Sequence, residues 1–339
     1  MSESLAMISG CLGTELTAEE LAFFADQRPW GFILFGRNLK EANQISDLTA
    51  AFRDAVGRPG APVFIDQEGG RVQRLRPPLA PNYPSGASLG AIYKQSAQAG
   101  RQAARILSRL HALDLRKFGI TADCLPVLDV PVEGSSNVIG DRAYGFDPKT
   151  VAEMGREAAL GLLDGGVLPV IKHIPGHGRG MADSHHHTPI VTALRAELEA
   201  HDFPPFSYLA DMPMAMTCHV VYTDIDPDRP ASASPIVIQQ IIRDYLKFDG
   251  LLMTDDISMN ALSGDMGARA RAIFDAGCDI ALHCHGIMPE MIDVAAQAPL
   301  LSGKSLKRAN AALARISGPG QHDESALRSE FDGLLSAVA

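Results

Sequence analysis

Apolar positions along this chain alternate between two textures. Short runs of apolar and β-branched residues occur at Ala6–Ser9, Gly31–Phe35, Pro62–Asp66, Ile120–Leu125, Val167–Lys172, Met212–Cys218, Gly250–Thr254 and Cys278–His283. Between them lie longer stretches with apolar residues at helical spacing, a rhythm that signals βα units and a parallel sheet. Helices are expected at 17–28, 42–56, 96–118, 150–164, 234–247 and 265–276. Thr17 and Glu20 give the first a capping-box pattern, and Gly119, Gly165 and Gly277 stand where helix C-caps belong. Eight strands, each followed by a helix, predict an α/β fold of one class: a single (β/α)8 TIM-type barrel over residues 1–320. A doubly wound sheet would need a glycine-rich first turn, and Gly10-Cys11-Leu12-Gly13 is not that fingerprint. The Gly-Pro-Gly at 318–320 sets off a short tail, 321–339, with one helix expected at 323–336 and packed on the barrel.

Composition narrows the classes of function. Hydrophobic residues make up 46% and charged residues 21% of the 339, as in ordinary globular proteins. A net charge of −10 argues against non-specific binding to nucleic acid or anionic lipid. Five cysteines without paired spacing predict a reducing compartment, with Cys124, Cys218 and Cys278 as inert core residues. The first residues lack a basic-then-apolar leader pattern, and no uninterrupted apolar stretch reaches about 18 residues. The expectation is a cytoplasmic monomer with no nucleic-acid or membrane partner, no cofactor and no metal.

Chemistry gathers where the apolar runs end. They close on Asp66, Asp123, Lys172-His173, His219, Asp255-Asp256 and His283, and in a barrel those ends converge on one rim. Ile171 to Pro189 is the densest segment. Gly176, Gly178 and Gly180 permit unusual backbone angles, and Asp183-Ser184-His185 follows. A carboxylate two residues before a histidine can orient the ring for general acid/base work. A solvated histidine run, or a metal site built on His173, His177 and His185, fits the spacing equally well. In Thr254-Asp255-Asp256, alternation along a strand turns only one aspartate to the axis. Asp255 is the candidate nucleophile for an anomeric carbon, while Asp256 is read as the N-cap of the next helix. Asp66-Gln67-Glu68-Gly69-Gly70-Arg71 with Arg74, and Gly140-Asp141-Arg142, look like clamps for sugar hydroxyls. Within them Arg71, Glu68 and Asp141 are the expected structural members.

On these motifs the chain resembles the glycoside hydrolase family 3 β-N-acetylglucosaminidases of bacterial cell-wall recycling. The likeness runs through Gly13-Thr14-Glu15-Leu16-Thr17, Ile65 to Arg74, Ile139 to Arg142, Lys172-His173-Ile174-Pro175-Gly176-His177-Gly178, Asp183-Ser184-His185 and Thr254 to Met259. It implies that Asp255 is the nucleophile and that His185 is the acid/base, paired with Asp183. Asp66, Arg74, Arg142, Lys172 and His173 would bind N-acetylglucosamine. The implied reaction removes that sugar, with retention, from muropeptides carrying 1,6-anhydro-N-acetylmuramic acid. Ile174 departs from the phenylalanine common there, and His186-His187 also depart; both bear on the closing of that loop. The single-barrel length resembles the Gram-negative cytoplasmic form. A histidine is neutral once it has given up its proton, so some transfer to phosphate is expected beside hydrolysis. Rival readings are a metal-dependent barrel hydrolase using the His173/His185 cluster, a sugar-binding protein without catalysis, and attack by the substrate's own acetamido oxygen.

Overall fold

A computed structural model describes residues 4–180, 188–318 and 323–336. Eight parallel strands form its centre: β1 (Leu5–Ser9), β2 (Pro29–Ile33), β3 (Val63–Ile65), β4 (Ala122–Asp123), β5 (Leu168–Pro169 and Ile171–Ile174), β6 (Met214–Thr217), β7 (Leu251–Asp256) and β8 (Ile280–His283). β1 pairs with both β2 and β8. The two pieces of β5, divided at Val170, pair with β4 on one side and β6 on the other. One strand thus serves both neighbours and the sheet closes into a barrel without edges. β2 begins two residues before the apolar run, since Pro29 is tolerated at the first position of a strand.

Two apolar layers follow from the alternation of side chains along each strand. One phase fills the barrel: Ala6 and Ile8, Phe64, Ala122 and Cys124, Leu168 and Val170, Met214 and Met216, Leu251 and Met253, Ile280 and Leu282. The other phase, with Met7, Val63, Ile65, Leu252 and Ala281, packs beneath the helices. Full burial of a leucine or methionine is worth roughly 1.5–3 kcal/mol. Polar groups are therefore expensive within these layers and accumulate where the strands end.

The helices start and stop on local chemistry. Helix Ala18–Gln27 opens on a complete capping box: the Glu20 amide donates to Thr17 Oγ1 at 3.1 Å and the Thr17 amide to Glu20 Oε2 at 2.8 Å. Helix Ala97–Arg116 opens on Ser96, helix Pro148–Asp164 closes at Gly165, and helix Met266–Ala276 closes at Gly277 in the left-handed region, φ +102°. Gly119 lies two residues beyond Lys117, the C-cap of helix 97–116, so it is not the expected cap. Segment Val237–Tyr245 winds as a wider π-helix. Helix Gly86–Gln95 has no counterpart in the sequence reading. Its glycines look like turn residues, but backbone crosses there: a Cβ on Gly86 or Gly90 would meet a carbonyl oxygen at 2.2 or 1.8 Å.

Helix Glu324–Ser336 lies on helix 97–116, with Arg328 bonded to Asp114 at 3.0 Å and Phe331 buried. All five cysteines are free and buried. Among the described residues no helix is long and apolar enough to cross a membrane.

Candidate active site

The alternation that fills the barrel continues one step past the apolar layers and selects the groups that face the axis. It leads from Phe64 to Asp66, from Val170 to Lys172, from Met253 to Asp255 and from Leu282 to Cys284. All four line one cavity of about 330 Å³ at the carboxyl ends of the strands. His173 is out of phase yet lines the same cavity, and the Lys172–His173 peptide is cis. Arg71, Arg74, Arg142, His177 and Asp256 complete its polar wall, with Phe35 and Met216 among the apolar groups. Five expected sugar ligands, Asp66, Arg74, Arg142, Lys172 and His173, are thus brought together with Asp255. Asp183 and His185 lie outside the described residues.

A buried ion network organises this wall. Lys172 Nζ sits 2.8 Å from Asp66 Oδ1 and 2.7 Å from Glu68 Oε1. Arg74 holds the other Asp66 oxygen at 3.1 Å, and its guanidinium lies over the Phe35 ring. Arg142 grips Glu68 through Nη2 and Nε, at 2.8 and 2.9 Å. Burial would push both carboxyls up, but the cations outweigh it: Glu68 falls to about 2, and Asp66 lies far below the usual carboxylate range. For Asp255 burial again pushes up, and His173, His219, the Asp256 amide and Lys172 around it more than offset that. Asp255 is therefore an anion at neutral pH.

Asp129 escaped the sequence reading. Its carboxylate stands 2.6 Å from His173 Nδ1 and accepts the His177 amide at 2.6 Å. It is fully buried, which alone would raise it, yet proximity to His173 and His177 holds it at about 2. His173 thereby has a fixed tautomer, with Nδ1 donating and Nε2 directed at the Arg142 guanidinium 3.5 Å away. Neither nitrogen is free for a cation, so His173 is poorly placed as a metal ligand. His177 was weighed only as a metal ligand. Its ring is buried against the cavity, neither ring nitrogen has a partner among the described residues, and desolvation lowers it to about 4. Beneath the wall, burial drives Asp123 well up, and one of its oxygens accepts the Gln67 amide at 2.9 Å.

Other expectations are corrected. Asp256 does not cap the next helix, which opens at Asp265. It closes a turn instead, accepting the Ser258 amide and the Cys284 amide, each at 3.1 Å, and the Ser258 hydroxyl at 2.5 Å. His283 turns away from the axis to meet Glu290 at 2.8 Å. His219 supports the β7 turn, with Nε2 3.0 Å from the Asp256 carbonyl and Nδ1 2.7 Å from Ser232 Oγ. Arg71 and Asp141 pair at 2.8 Å, and with Glu68 they are structural as expected.

The network makes acid sensitivity predictable. Glu68, Asp66 and Asp129 all have folded-state values below their ordinary ones, 4.5 for Glu68 and 3.8 for the aspartates. Their contribution is fully present above about pH 5 and is lost as pH falls toward 2; for Glu68 alone it is on the order of 3 kcal/mol. Asp123, with its raised value, works in the opposite sense and favours the fold at low pH. Three groups against one predict that urea midpoints fall steadily from pH 5 to pH 3. A flat midpoint over that range would contradict the network.

Comparison with known proteins adds the relatives. A family model described as the glycosyl hydrolase family 3 N terminal domain matches residues 4–317. A "Beta-hexosaminidase" of Stenotrophomonas maltophilia (strain K279a) is 38% identical over 335 residues, covering 97% of this chain and 94% of the relative. The crystal structure of NagZ from Neisseria gonorrhoeae in complex with N-trifluoroacetyl-D-glucosamine superposes with a TM-score of 0.89 at 31% identity, covering 98% of this chain and 99% of that one. The same protein in complex with zinc ion gives a TM-score of 0.86 at 30% identity, covering 100% and 99%.

Proposed function

The chain belongs to glycosyl hydrolase family 3, and on that premise we propose that it is a retaining exo-β-N-acetylglucosaminidase. Its substrates on this reading are muropeptide fragments carrying 1,6-anhydro-N-acetylmuramic acid, from which it removes terminal N-acetylglucosamine in cytoplasmic cell-wall recycling, as a monomer. One observation carries the reading: Asp255 is a partly buried anion at the barrel axis, lining a small cavity rich in donors. The relative that binds N-trifluoroacetyl-D-glucosamine supports the choice of sugar.

The chemistry follows from the charges. Asp255 attacks the anomeric carbon as the bond to the leaving oxygen breaks, and His185, oriented by Asp183, protonates that oxygen. The neutral imidazole then takes a proton from water, which displaces Asp255 and restores the original configuration. Asp66 accepts from sugar hydroxyls, as does His173 through Nε2, while Arg74, Arg142 and Lys172 donate. The three donors and His173 are already held by Asp66, Glu68 and Asp129. Little reorganisation is then needed when sugar binds, which is the condition for efficient electrostatic stabilisation.

Release of nitrophenol from an aryl N-acetyl-β-glucosaminide tests the class of reaction. Hydrolysis is expected, with the rate unchanged within twofold by EDTA. Absence of activity, or its abolition by EDTA, would favour a metal-dependent hydrolase instead.

A further inference from the structure

A second cluster of ligating side chains lies at the end of β8, outside the donor network of the sugar site. His283 closes the strand, His285 follows in the loop, and Glu290 sits in the first turn of helix Met288–Ala295. His283 Nε2 is 2.8 Å and His285 Nδ1 is 3.4 Å from the same oxygen, Glu290 Oε2, and all three atoms lie within 4.8 Å of one another. We propose that His283, His285 and Glu290 form a binding site for a divalent transition ion of the zinc type.

The donor set fits such an ion. Two imidazoles and one carboxylate suit borderline metals rather than magnesium or calcium, and three protein ligands leave a fourth position for water. Bonds of about 2.0–2.2 Å place tetrahedral ligand atoms about 3.4 Å apart, the separation already present between His285 Nδ1 and Glu290 Oε2. His283 is buried at the end of β8, with Nε2 turned to Glu290. Metal entry at Nε2 moves the ring proton to Nδ1, which has no hydrogen-bond partner among the described residues. His285 remains about half exposed and gives the ion a path from solvent.

The surroundings hold the ligands in register. His285 Nε2 lies 3.0 Å from Ser258 Oγ, which bonds Asp256 at 2.5 Å. Such a contact on the other nitrogen fixes the tautomer and ring orientation of His285 as a ligand. The Arg37 guanidinium binds the carbonyls of Cys284 and His285 and pins the loop. Gly286, at φ +75°, packs where a Cβ would come within 2.3 Å of Cys11 backbone. The Ser258–Asp256 link joins the cluster to the turn that presents Asp255, since the Asp256 amide donates to Asp255 at 2.8 Å.

Zinc titration of the full chain against a competing chelator dye tests the site, with magnesium as the hard-cation control. One zinc-selective site is expected to weaken at least tenfold in both Glu290→Gln and His285→Ala, and to be unchanged in His201→Ala. Anomalous diffraction from zinc-soaked wild-type crystals is the second readout, independent of how the variants fold. A peak bonded to His283 Nε2, His285 Nδ1 and Glu290 would support the assignment. Zinc affinity and stoichiometry untouched by both variants, or no peak at that position, would overturn it.

Discussion

Replacing Asp255 with alanine is expected to lower kcat on an aryl N-acetyl-β-glucosaminide by on the order of 10⁴-fold while leaving the melting transition intact. Removing a nucleophile eliminates the covalent route and leaves only binding and the remaining polar groups to act. Stability is spared because the Asp255 side chain accepts only its neighbour's amide and joins no salt bridge among the described residues. The lost carboxylate also leaves space on its face of the sugar. Azide is therefore expected to restore turnover and to yield the α-glycosyl azide, of inverted configuration. Activity within tenfold of wild type, at unchanged stability, would contradict the role assigned to Asp255.

Lys172→Ala is expected to produce the largest loss of stability. Its ammonium is buried between Asp66 and Glu68, of which Glu68 is buried and Asp66 partly so. Removing one member of such a pair leaves uncompensated charge, which costs about 3–5 kcal/mol. Asp66 retains Arg74 and Glu68 retains Arg142, so the chain is expected to fold. The sign of the pH dependence is specific. Without the ammonium the carboxyls take up protons more readily, so the difference from wild type should narrow between pH 7 and pH 4.5. Urea melts of both proteins at those two values check this; a difference below about 1 kcal/mol at pH 7, or one that widens toward acid, would contradict it.

Much of this arrangement was legible in the chain because strand chemistry is local. Period-two alternation sorts each apolar run into an inner and an outer phase, and extending the inner phase past the last apolar residue reaches Asp66, Lys172 and Asp255. Thr17, Glu20 and Gly277 announce their helix ends for the same local reason. What stayed hidden depends on contacts distant in sequence. Asp129 matters because the segment after β4 runs beside β5, the Leu128 amide donating to the Lys172 carbonyl at 2.6 Å. Nothing in Leu128-Asp129-Val130 signals that approach. Helix 86–95 was missed because its glycines answer to backbone crossing from 142–144 rather than to a turn. Asp256 was misassigned because its partners, Ser258 and Cys284, include a residue on another strand's end. Arg142, expected to bind sugar, also grips Glu68 through Nε and Nη2, a pairing across 74 positions of sequence. The loop carrying Asp183 and His185 rests on sequence alone.

The central claim is that a protein carboxylate, and not the substrate's acetamido oxygen or a metal-bound water, attacks the sugar. Incubating the enzyme with a 5-fluoro-N-acetylglucosaminyl fluoride and mapping the labelled peptide by mass spectrometry tests it directly. The account predicts one sugar per chain, esterified to Asp255. Turnover with no covalent label, or a label on any other residue, would contradict it.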